Sequence, residues 1–148
     1  MRPLPPVAPG FVRRLGVFGE AFEDPNTYGD KRPSSAYLRQ LLASNYFIAL
    51  VARDESEVVG GLAAYELSKF EQERSEIYIY DLAVAIAHRR KGIATSLIRK
   101  LQRIAADRDA HVIFVQADLT DGPAIALYSK IGLREDVLHF DIPVAKPG

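Results

Sequence analysis

The sequence predicts an α/β (α+β) fold, a mixed and mostly antiparallel sheet flanked by helices, carried by a single domain over residues 1–148. Three observations predict it. Apolar, β-prone runs at 46–52, 58–65 and 75–84 follow one another across short polar connections, as antiparallel neighbours do. From Ile93 the apolar period becomes helical, with Ile93, Leu97, Ile98, Leu101, Ile104 and Ala105 on one side and Arg99, Lys100, Arg103 and Arg108 on the other. The short apolar run 111–117 that follows reads as a strand reached by a parallel crossover.

In chain order, four prolines in the segment 1–9 preclude a regular helix and disfavour an internal strand. Phe11, Leu15, Phe18 and Phe22 then mark one face of a helix over 10–22, and the turn-forming stretch 23–30 carries three carboxylates. A second helix is expected to start near Pro33 and to bury Tyr37, Leu38, Leu41 and Leu42. The turn 54–57 joins the first two strands as a hairpin, and Gly60 with Gly61 signals a bulge or a close backbone approach in the second. After a polar connection, simple alternation along 75–84 puts Asp81 on the face of Ile77, Ile79 and Ala83, with Tyr78 and Tyr80 opposite. A helix opening at Asp121, its expected N-cap, carries Ala124, Leu127 and Tyr128 and ends at Gly132. Residues 133–142 are expected to form a final strand, and 143–148 a tail.

Composition narrows the function classes. Nineteen basic residues cancel nineteen acidic ones, so no global field draws the chain to nucleic acid. Cysteine is absent, which excludes a thiol nucleophile and a disulfide framework. His88, His111 and His139 lack metal-ligand spacing, so no metal is expected. No apolar run is long enough to span a membrane and the start has no signal-peptide core, which makes the cytoplasm the expected compartment. Neither a dinucleotide-binding glycine motif nor a phosphate-binding loop with its lysine is present.

Between strand and helix lies His88-Arg89-Arg90-Lys91-Gly92-Ile93-Ala94-Thr95. Unpaired N–H groups at a helix start, together with three cations, make an anion site suited to a pyrophosphate. The spacing Arg89-x-x-Gly92-x-Ala94 resembles the acyl-CoA-binding signature of the GNAT acetyltransferase superfamily, and Ala124-x-x-Leu127-Tyr128-x-x-x-Gly132-Leu133 resembles its second signature. Several longer blocks, among them 74–84, 115–118 and 139–141, are similar to the type I aminoglycoside 3-N-acetyltransferases, the gentamicin-resistance enzymes.

That resemblance implies a GNAT fold whose sheet splays between its fourth and fifth strands, with a first strand that the proline-rich start replaces or abolishes. It implies acetyl transfer from acetyl-CoA to the 3-amino group of an aminoglycoside by direct attack, in a homodimer without nucleic-acid or membrane partners. Leu82, Ala83 and Val84, then Arg89, Arg90, Lys91, Gly92, Ile93, Ala94 and Thr95, would hold the cofactor. Tyr128 would protonate the departing thiolate, and Asp81 or Asp118 would deprotonate the acceptor amine. Asp81, Asp118, Asp121 and Tyr80 would bind the acceptor. Other readings are a polyamine or protein-amine acetyltransferase, or a noncatalytic acyl-CoA-binding module.

Overall fold

Strands form where the alternating runs lie, and their register sorts the side chains onto two unlike faces. The computed structural model describes residues 2–3 and 33–146; the helix expected over 10–22 and the turn-rich stretch 23–30 lie outside the described residues. The elements are β1 (Arg2–Pro3), α1 (Ser35–Ala43), β2 (Phe47–Asp54), β3 (Glu57–Ser68), β4 (Ser75–Val84), α2 (Ile93–Asp107), β5 (Val112–Val115) and α3 (Gly122–Ile131). The sheet runs β1-β2-β3-β4-β5, antiparallel except for the parallel β4–β5 pair. The first strand is present as two residues, Arg2 opposite Val51 and Pro3 opposite Leu50. It is the first strand in the sheet order, a position where proline is tolerated. The chain forms two compact units, Met1–Gln116 and Ala117–Gly148.

In the first unit, Leu50 lies opposite Leu62, and Ala64 opposite Ile79. Residues directly opposite share a face, so these form one apolar surface. Leu50, Leu62, Ile77, Leu97 and Leu101 are all fully buried. Two contacts lay α2 along that face of β3. At its start, a Cβ on Gly60 would meet Ile93 Cγ2 at 3.1 Å, so the glycine permits the close approach signalled by the sequence. Beyond its end, Arg108 Nη1 donates to Glu66 Oε1 at 2.8 Å and to the Asn45 carbonyl at 2.7 Å.

α1 begins on Ser34, whose hydroxyl accepts from the Tyr37 N–H. It buries Leu38 but leaves Tyr37 60% exposed, contrary to the expected apolar set. β5 is half-buried, with Val112 exposed at its start. In the second unit, α3 is capped as expected by Asp121, whose Oδ1 accepts from the Ala124 N–H at 3.2 Å.

The final strand expected over 133–142 is not formed: residues 133–146 have no regular structure. A strand exists through its ladder, and no strand is paired to this segment among the described residues. Its side chains nevertheless keep strand-like i, i+2 proximity, with Arg134 bonded to Asp136 at 2.6 Å and His139 to Asp141 at 2.9 Å. No helix among the described residues is long and apolar enough to cross a membrane.

Glu66 joins the sheet to α2 and supplies a pH test. Burial opposes its ionisation, but hydrogen bonds from Ser75 and Arg108 and the guanidinium charge outweigh burial and hold its pKa below the ordinary value. A depressed folded pKa stabilises the fold above the unfolded-state pKa and loses that stability as pH falls through the folded one. Glu66→Gln is therefore expected to destabilise the chain by about 1–2 kcal/mol at pH 7. The gap from wild type should shrink on acidification below the ordinary carboxylate range. Chemical denaturation at both pH values checks it.

Candidate functional site

The basic turn begins where β4 ends. Ala85 N–H donates to the Val59 carbonyl at 2.8 Å, a residue that bulges from β3 beside Gly60, and a single 3₁₀ turn follows at Ile86–His88. Arg90 and Gly92 are both left-handed, at φ 65° and 77°, reversing the chain into α2. A side chain at 92 would be strained even though the space there is open. The first helical bond runs from Ser96 N–H to the Gly92 carbonyl, and Gly92, at the N-cap, has no side chain with which to cap the helix. The N–H groups of Ile93, Ala94 and Thr95 precede any intrahelical acceptor, and no acidic residue sits in the first turn. With exposed Arg89, Arg90 and Lys91 alongside, the helix start is built to hold an anion. Arg89 Nε also reaches the Val84 carbonyl at 3.4 Å. These residues fit the pyrophosphate of a CoA thioester.

Beside the turn lies a cavity of about 500 Å³ whose polar wall includes Arg53, Asp54, His88, Lys91 and Ser96. Of these, His88 Nδ1 stands 4.0 Å from Asp54 Oδ2.

The approach to the turn is equally specific. The β4–β5 ladder covers only Glu76–Ile79 of β4, while the β3 ladder continues to Val84. From Tyr80 to Val84 the edge of β4 toward β5 therefore has no strand partner among the described residues. This is the splay expected between the fourth and fifth strands. It leaves main-chain groups near Leu82, Ala83 and Val84 able to bond an extended ligand.

One expectation is overturned here. Ala64 lies opposite Ile79 and Ala63 opposite Asp81, so Tyr80 is an extra residue in β4, a β-bulge. Because Ala63 and Ala64 point to opposite faces, so do Asp81 and Ile79. Asp81 therefore leaves the apolar face of Ile77 and Ile79 and joins the face of Tyr65 and Tyr78, which lie opposite one another. The electrostatics agree with that placement. Burial first, and the nearby Asp81 carboxylate among the smaller causes, push the Tyr65 and Tyr78 phenols above their ordinary value. Tyr80 remains with them, 5.9 Å from each ring.

In the second unit, Asp121 N–H donates to the Asp118 carbonyl at 3.0 Å, forming the turn that opens α3. Asp118 is exposed, and Asp121 is occupied as the cap. Tyr128 lies on α3, its phenol pushed up to about 12 by burial and then by the Asp121 carboxylate. It remains a proton-bearing donor throughout the neutral range. No group of acidic or histidine side chains able to hold a metal occurs among the described residues.

Sequence reasoning missed Tyr65 and Tyr78 as members of the Asp81 group. Alternation carries one parity through β4 and cannot see a one-residue bulge that no glycine in that strand announces.

Residues 17–133 match the model of the acetyltransferase (GNAT) family. The chain is 66% identical to an aminoglycoside acetyltransferase from an uncultured soil metagenomic sample, covering 91% of this chain and 90% of that one, with a TM-score of 0.89. It is 32% identical to another aminoglycoside acetyltransferase from an uncultured soil metagenomic sample, a crystal structure in complex with sisomicin, covering 93% and 90% with a TM-score of 0.85. N-acetyltransferase family 8 member 3 of Rattus norvegicus is 25% identical over 97 residues, 66% of this chain and 42% of that protein. The chain thus spans about two fifths of the length of this curated relative.

Proposed function

Because this chain belongs to the GNAT acetyltransferase family, we propose that it moves acetyl from acetyl-CoA to the 3-amino group of an aminoglycoside such as gentamicin, as a single-domain cytoplasmic homodimer. The observation that carries the reading is the cation-flanked start of α2 at its glycine N-cap, fed by a strand whose ladder with β5 ends at Ile79. The 66% identity to an aminoglycoside acetyltransferase supports the acceptor class. Exposed Leu138, Phe140 and Ile142, at every second position of the C-terminal segment, suit burial against a second copy.

Acetyl-CoA supplies the acetyl group as a thioester. The amide groups from Arg90 to Thr95 hold its pyrophosphate, and backbone N–H groups near Leu82 to Val84 bind the pantetheine and polarise the thioester carbonyl. Asp81 or Asp118 binds the acceptor ammonium and takes its proton, directly or through water. The freed amine nitrogen bonds to the carbonyl carbon as the carbon–sulfur bond breaks, and Tyr128 donates to the departing sulfur. With no cysteine in the chain, attack is direct, without a thiol-borne acetyl-enzyme.

Thiol release from acetyl-CoA in the presence of gentamicin tests the reading. Release that depends on both substrates is the expected result. No release above background overturns it.

A further inference from the structure

The basic turn is held at both ends by two adjoining residues of β3. At its entry the Ala85 N–H donates to the Val59 carbonyl at 2.8 Å. At its exit Ile93 seats on Gly60, where a Cβ would stand 3.1 Å from Ile93 Cγ2 and 3.2 Å from the Ala83 carbonyl oxygen. These two residues form the bulge of the β2–β3 ladder: Gly60 lies opposite Ala52 and Val58 opposite Arg53, so Val59 is the extra residue. Val59 is fully buried, which fixes the bulge in the core. Between the two holds the chain enters the left-handed region twice, at Arg90 and at Gly92. An arginine keeps that conformation only where its surroundings over-determine it, and fixed ends supply the constraint.

We propose that the Val59–Gly60 bulge is a positioning seat for the cofactor pyrophosphate, presetting the N–H groups of Ile93, Ala94 and Thr95 that receive it. The proposal rests on the proposed function and deepens it, by assigning part of the donor's affinity to β3, a strand outside the turn. A turn already in its bound form spends no binding energy on being ordered. The seat also accounts for the glycine. Inside a strand alanine is ordinarily the more stable residue, but here the added methyl would have to move Ile93, and with it the first turn of α2, by a few tenths of an ångström.

Titration calorimetry on the full-length Gly60→Ala variant tests the seat. Acetyl-CoA should bind about tenfold more weakly with the melting temperature preserved. Gentamicin, held elsewhere, should bind within about twofold of wild type. Ile93→Ala removes the opposing Cγ2 and keeps the backbone N–H, so the double variant should bind acetyl-CoA more tightly than Gly60→Ala alone. In turnover, S-acetyl-pantetheine, a donor without the pyrophosphate, should keep its kcat/KM within about twofold, which separates a misplaced anion site from general damage. Where Gly60→Ala does not fold, Ile93→Ala alone empties the seat and should weaken acetyl-CoA about threefold. Unchanged acetyl-CoA affinity in either folded single variant overturns the seat. So does an equal loss with S-acetyl-pantetheine, or a double variant that binds no more tightly than Gly60→Ala. The expected acetyl-CoA ranking without gentamicin turnover by the wild type overturns the proposed function and leaves the seat standing. No acetyl-CoA binding by the wild type overturns both.

Discussion

Asp81→Asn is expected to lower gentamicin turnover by about 10²–10⁴-fold while leaving acetyl-CoA binding unchanged. The amide keeps the shape of the side chain but cannot accept a proton. Asp81 is half-buried among aromatic rings, where a carboxylate interacts with an ammonium more strongly than in water, whereas Asp118 is exposed. Asp118→Asn should accordingly raise KM for the aminoglycoside and spare kcat. Steady-state kinetics on the two variants separate the roles, and a larger kcat loss at Asp118 would exchange them. An activity-independent check exists as well. Because the Asp81 charge helps to raise the Tyr65 and Tyr78 phenols, its removal should let them ionise at lower pH in an ultraviolet titration.

Tyr128→Phe is expected to reduce kcat about 10²-fold, again with acetyl-CoA affinity unchanged. The phenol at about 12 is a reluctant acid. Opposite a thiol with an ordinary value of about 8.5, complete proton transfer would run uphill by some three to four pK units. Its contribution is therefore a hydrogen bond to the charge that develops on sulfur, which places the loss at the low end of the general-acid range. The sign of its pH dependence follows. The required form is protonated, so Tyr128 imposes no alkaline fall in kcat through pH 9 and only fails as pH approaches 12. Unchanged kcat in the phenylalanine variant would remove the residue from the chemistry.

Much of this was legible in the chain itself. The basic turn, the helix start at Gly92, the 75–84 strand and the Asp121 cap all follow from local signals, because turn stereochemistry, capping and periodicity act within a few residues. The approach of Ile93 to Gly60 was half-visible, as a glycine in a strand without a stated neighbour. Two things were not legible. A strand depends on its partner, so the alternating 133–142 segment looked complete when its pairing was not supplied. The side on which Asp81 stands depends on one unpaired residue in the ladder, a tertiary choice that leaves composition and propensity unchanged.

The bulge at Tyr80 also governs how knowledge moves between homologues. A relative lacking that extra residue aligns with this chain after a one-position gap, with every flanking identity intact. Yet the side chains on one flank would occupy the reverse side of the sheet. Shared letters in β4 therefore transfer a role only when the parity of the strand is shared too, and counting residues between Ile79 and Ala83 becomes a diagnostic for which relatives hold a carboxylate on the tyrosine side of the sheet.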